Sequence, residues 1–181
     1  MPLFVEQLGA RGHEVEYYAG LGISLSAISA ALLSPVWGSL ADRYGRKPMM
    51  IRAATAMVFT MGGIAFVPNI FWLLLLRFLN GVFAGYVPNS TALIASQAPK
   101  EKTGYALGTL STGVVAGNLM GPFIGGLIAE MFGIRNFFLL IGGFFLVAAL
   151  MTFYLIREDF VPVTRQEEVG FKELLRQLRY P

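Results

Sequence analysis

Five stretches of this chain contain no Asp, Glu, Lys or Arg: residues 17–41, 53–76, 78–99, 103–129 and 136–156. No other feature constrains the fold as strongly. A helix rises ~1.5 Å per residue, so each stretch reaches the ~20 residues that cross ~30 Å of hydrocarbon. Apolar runs this long are not strands, and a helix on a soluble surface would show a polar face. The reading is an all-α membrane protein with transmembrane helices over residues 17–40, 49–67, 70–96, 103–130 and 136–156. Composition agrees, since only 14% of the residues are charged against about a quarter in a soluble domain.

Residues 67–70 and 131–135 form short turns on one side, and residues 42–47 and 97–102 lie on the other. Short connections make antiparallel neighbours. One side then carries Arg43, Arg46, Lys47, Arg52, Lys100, Lys102, Arg157, Arg165, Lys172, Arg176 and Arg179, while the other has Arg11 and Arg135. The positive-inside rule makes the first side cytoplasmic. Tyr17, Tyr18 and Trp72 fall in the outer aromatic belt, Trp37 and Tyr154 near the inner one. The inner basic residues suit anionic membrane lipid.

Residues 1–16 become an outer loop and residues 157–181 the start of a central cytoplasmic loop. The loop's Phe171, Leu174, Leu175 and Leu178 recur at helical spacing opposite basic residues. That pattern fits a cytoplasmic amphipathic helix on the membrane surface, or one packed on other protein. An outside N-terminus without a basic-then-apolar leader leads us to expect that a preceding helix is missing.

Residues 37–52, WGSLADRYGRKPMMIR, gather charge that the rest of the chain avoids. Gly38 lets another backbone come close. Asp42 can sit at an opposing helix N-terminus or pair with guanidiniums, and Gly45 permits a tight turn. A solvated basic loop explains the four cations but not their order around Leu40, Asp42, Arg43, Gly45, Arg46 and Lys47. Further on, Gly113, Gly117, Gly121 and Gly125 recur every four residues and form a side-chain-free stripe. Pro122 cannot donate to the carbonyl of Asn118, so a bend is expected there. Such a stripe is static packing or a face that slides; with Gly108 and Pro122 the second reading is preferred.

Arg77 interrupts the oil on the outer half of its helix, with Asn80, Gly81 and Ala84 on its face by spacing. An arginine at mid-membrane costs ~2.5–3.5 kcal/mol on insertion scales, so it is expected to face a watery cavity, where it could depress a carboxylate's pKa and assist proton coupling. None of the charge-free runs supplies that carboxylate; Asp42 and Glu130 lie at helix ends. Phe83, Tyr86, Asn89 and Asn118, with Phe59, Phe78, Phe144 and Phe145, are candidates for a cavity that takes amphiphilic compounds.

The motif over residues 38–47 resembles the loop between the second and third helices of the major facilitator superfamily. Residues 73–85 are similar to its fourth-helix motif, with Asn80 where Gln is usual and Phe83 where a small residue is common. Residues 108–126 resemble the fifth-helix motif of its antiporter branch. The resemblance covers nearly the whole chain, most closely multidrug exporters of Gram-positive bacteria associated with fluoroquinolones and dyes. It implies the second to sixth helices of a twelve-helix transporter in the bacterial plasma membrane, lacking the first helix and the carboxy-terminal half. It also implies proton-coupled export by alternating access, with the residue 38–47 motif as cytoplasmic gate, Arg77 in proton coupling, small drug-like substrates, and the proton gradient in place of a cofactor.

Two alternatives remain open: a nutrient or sugar symporter on the same fold, against which the fifth-helix motif argues, and a non-transporting scaffold or sensor, should the native chain end at residue 181. No nucleophile–base pair, phosphate loop or metal-ligand cluster stands out. Cys is absent, the one histidine is His13 in the outer loop, and nothing suggests nucleic acid. Enzyme chemistry therefore has no candidate residues.

Overall fold

A computed structural model describes residues 2–158 and Phe160. Its helices are α1 (Pro2–Gln7), α2 (His13–Tyr44), α3 (Arg46–Ile64), α4 (Ile70–Val82), α5 (Tyr86–Gln97), α6 (Lys100–Phe132) and α7 (Ile134–Leu155). No strand occurs among the described residues, and the amphipathic helix expected at residues 171–178 lies outside them.

Four runs are long and apolar enough to cross a membrane: His13–Tyr44, Ile70–Gln97, Lys100–Phe132 and Ile134–Leu155. The expected span at 49–67 corresponds to α3, which has 19 residues and begins with Arg46 and Lys47. Its position explains its weaker oil. It packs most extensively on α7, then on α5 and α4, and buries Met49, Met50, Ala53, Ala54, Thr60 and Ile64. A helix covered by neighbours does not need an apolar surface all round. The α3–α7 contact is close because glycine faces glycine: a Cβ on Gly142 would lie 3.1 Å from Gly62 Cα.

Several expected boundaries change. The loop expected at 41–48 reduces to Gly45, at φ +98°, which caps the end of α2 and the start of α3. Its N–H donates to the Ala41 carbonyl at 2.9 Å. Asp42 and Arg43 therefore belong to the last turn of α2, and Arg46 and Lys47 to the first turn of α3. The outer loop at 1–16 contains helix α1, and α2 already starts at His13. Phe4 and Val5 plug a cluster with Ile64, Leu73 and Phe138 at the end opposite Gly45. Six residues are too few for periodicity to reveal such a helix.

The span expected at 70–96 is broken between Val82 and Tyr86, giving α4 and α5. Asn69 starts α4 by accepting from the Trp72 N–H at 3.2 Å. α4 lies against α2, and Gly81 sets their separation: a Cβ there would collide with the Ser29 hydroxyl and the Ser26 carbonyl. α6 contrasts with the others. Among the described residues it buries none of its own side chains and touches only the flanking α5 and α7 to any extent. Pro122 lies inside it without ending it.

Candidate functional site

The segment expected from the sequence to act as a gate lies where α2 turns into α3. Asp42 and Arg46 are one helical turn apart across Gly45 and form an ion pair, Arg46 Nη2 to Asp42 Oδ1, of 2.6 Å. Arg43 lies over the Tyr44 ring and Lys47 over that of Phe153, so each basic group in the motif has a partner. Leu40 is half-buried. Gly38 borders a cavity of about 250 Å³, but a Cβ on it would meet nothing within 4 Å. The close backbone approach expected at Gly38 is therefore not made among the described residues.

Sequence reasoning passed over a further member of this site. After α7 the chain returns to the turn, and Glu158 accepts the N–H of Arg46 on Oε1 and that of Lys47 on Oε2, both at 2.7 Å. These two donors open α3 and have no intrahelical partner, and a carboxylate also complements the positive helix end. Gly45 is needed twice over. Its φ of +98° disfavours a side chain, and a Cβ would fall 2.8 Å from Glu158 Oε2. A carboxylate more than a hundred residues along leaves no local signal.

The second centre is the α4–α5 break. Pro88 has no N–H for the Ala84 carbonyl, and Gly85 takes φ +132°. The freed carbonyls find side-chain donors: Trp37 Nε1 to Val82 at 2.6 Å, and Arg52 Nη2 to Phe83 at 3.4 Å and Ala84 at 3.2 Å. Asn89 Nδ2 donates to the Gly85 carbonyl at 2.7 Å and Ser90 Oγ to that of Tyr86 at 2.8 Å. The Arg52 guanidinium lies over Trp37, its Cζ 3.4 Å from the ring centroid. The sequence placed Arg52 among the inner basic residues and Trp37 in an aromatic belt; both turn inward instead. Pro88 following Gly85 was the available signal for the break.

Candidate cavity residues divide between two spaces. Phe59 and Phe83 line an apolar cavity of about 510 Å³ between α3 and α4, with Arg52 at its edge. Asn89 borders the smaller one, while the Tyr86 hydroxyl bonds Thr152 Oγ1 at 2.9 Å and ties α5 to α7. Asn118 sits on α6, where residues 111–124 are all exposed. Phe78 and Phe144 are exposed and Phe145 half-buried.

In the outer motif, Asn80 does not turn to Arg77. Its Nδ2 donates to Thr60 Oγ1 on α3 at 3.2 Å. The Arg77 side chain is half-buried, and its carbonyl accepts from Ser26 Oγ at 2.7 Å, which draws α2 and α4 together beside Gly81. Of the glycine stripe, Gly108, Gly113, Gly117 and Gly121 would each accept a Cβ with none of the described residues within 4 Å, whereas Gly125 would meet Phe137. Most of the stripe is thus an open face. Among the described residues no His, Asp or Glu grouping could hold a metal ion.

The sequence profile of the Major Facilitator Superfamily matches residues 1–180. The chain is 67% identical over its whole length to the multi-drug resistance efflux pump PmrA of Streptococcus pneumoniae. It is 52% identical over 178 residues to a PmrA homolog of Lactococcus lactis, and 44% identical over 182 aligned residues to the multidrug resistance protein MdtG of Salmonella paratyphi A. It spans 45%, 44% and 45% of these relatives, respectively. The apolar helices and these bacterial relatives mark a multi-pass protein of the bacterial plasma membrane. The chain belongs to the major facilitator superfamily, a family of transporters.

Proposed function

We propose that the chain is the amino-terminal part of a proton-coupled exporter of amphiphilic compounds that works by alternating access. The observation that carries this reading is the 67% identity, across every residue of the chain, to a protein named a multidrug efflux pump. The geometry supports it. The basic end, taken as cytoplasmic, holds a compact gate in which α2, α3 and the segment after α7 meet at Gly45. Closure of the inner mouth would bring the other half of the transporter onto this gate, with Asp42 exchanging Arg46 for a partner across the mouth. The open glycine face of α6 suits an element along which a second half rocks. The apolar cavity beside Phe59 and Phe83 suits bulky amphiphiles.

Proton entry drives the cycle in this reading. Each charge moved with the field releases ~2.3 kcal/mol per 100 mV, so one proton supports a concentration ratio of tens. Arg77 and the neighbouring Gly81 crossing serve as the coupling region, and the titrating carboxylate is supplied by the rest of the transporter or by Asp42. The test is ethidium efflux from cells that express the full-length transporter in a strain stripped of its own exporters. Efflux that a protonophore abolishes is expected. Absent efflux, or efflux indifferent to the protonophore, would overturn the proposal.

A further inference from the structure

Trp37 stands immediately before the gate motif, and Arg52 lies about a turn and a half into α3, just beyond it. Both reach the same place, the break between α4 and α5. A break inside a membrane run is tolerated only where its backbone groups find partners. Here each carbonyl from Val82 to Tyr86 has a side-chain donor. The first three depend on the Trp37–Arg52 stack. The two outermost residues of the gate segment thus hold the point where the helix is interrupted.

We infer that Trp37 and Arg52 are positioning residues that couple the gate to a hinge at Phe83–Gly85, so that movement of the inner ends of α2 and α3 re-angles α5 against α4. Two observations separate a hinge from a fixed brace. First, among the described residues Arg52 uses only Nη2 for hydrogen bonds; its Nε and Nη1 are buried without a hydrogen-bond partner there. A guanidinium with spare donors can exchange acceptors, as a two-position clamp requires. Second, the stack borders an open groove on either side among the described residues. Arg52 and Phe83 border the cavity of about 510 Å³, and Trp37 and Gly85 border that of about 250 Å³. Close-packed interiors resist displacement, and among the described residues this element is not enclosed by packed side chains on its groove sides. Gly85, already at φ +132°, takes up the backbone rotation most easily.

The inference rests on the exporter reading, so its test has a readout independent of export. In the full-length transporter freed of cysteines, Ser39→Cys on the exposed gate face reports inner-mouth opening by maleimide labelling, with and without a proton gradient. Ethidium export is measured in parallel. Arg52→Lys keeps the charge but loses the planar fork and its stacking over Trp37; Trp37→Phe keeps a ring but loses the indole donor. One charge-assisted hydrogen bond corresponds to roughly tenfold in an equilibrium. Arg52→Lys is therefore expected to lower saturated turnover about tenfold, to leave KM within about twofold, and to abolish the response of labelling to the gradient. Trp37→Phe gives a smaller loss of the same kind, and decides the matter should Arg52→Lys fail to accumulate. If both variants turn over and switch like the parent at equal abundance, the clamp is refuted. If the parent exports no ethidium yet its labelling switches, and Arg52→Lys stops the switching, the exporter reading fails while the clamp stands.

Discussion

Glu158 offers the most quantitative test of how the proposed gate is held. Its two carboxylate oxygens take the first two N–H groups of α3 at 2.7 Å each. Hydrogen bonds to charged groups contribute roughly 1.5–3 kcal/mol, while helix-capping side chains are worth about 0.5–2 kcal/mol. Glu158 is only half-buried, so solvent screening puts the pair of bonds nearer the capping value. About 2 kcal/mol for the docked segment is a reasonable estimate, or some 30-fold in the local equilibrium at about 1.4 kcal/mol per tenfold. Amide hydrogen exchange in lipid nanodiscs reads this directly. Glu158→Ala should speed exchange at Arg46 and Lys47 by about that factor, leaving the centre of α3 unchanged. Glu158→Gln, which keeps one good acceptor, should fall between. Gly45→Ala should imitate Glu158→Ala, because its positive-φ extended backbone costs a side-chain-bearing residue about 1–3 kcal/mol and its Cβ would press on the carboxylate. Exchange at Arg46 and Lys47 that is unaltered in Glu158→Ala would refute the reasoning.

Three further outcomes follow from packing. Gly81→Ala should sharply lower the amount of folded transporter, seen by fluorescence-detected size exclusion, since its Cβ would collide with backbone of α2 as well as the Ser29 hydroxyl. Gly117→Ala should leave folded amount and melting temperature unchanged in this part, because its Cβ meets nothing; lost export at normal abundance would assign that face to the moving interface. Phe4→Ala should destabilise by about 3–5 kcal/mol, as other buried aromatic truncations do, and lower the thermal midpoint, since Phe4 is 1% exposed and packs on Phe138.

Much of the architecture could be read from the charge-free runs, because membrane spans are set by continuous composition. What escaped was set by contacts between distant residues. Arg52 counts equally as an inside-positive cation whether it faces water or Trp37, and only the fold distinguishes them. The α4–α5 break hides in an oily run because Gly81 and Gly85 look alike in sequence. One marks a close helix crossing and the other a left-handed turn, with Pro88 the local hint. α3 illustrates the limit of hydropathy, since its neighbours cover it and release it from the apolar requirement. In the proposed gate, the order Asp42–Gly45–Arg46 was readable, and Glu158 was not.

The most direct test of the central claim, that the Asp42 segment gates the inner mouth, is substitution of Asp42 by Asn in the full-length transporter. Protonophore-sensitive ethidium export and exchange between inward- and outward-open states would be measured on the same sample. Normal abundance with both activities lost is the expected result. Export and exchange that continue at the parent rate would contradict the gate.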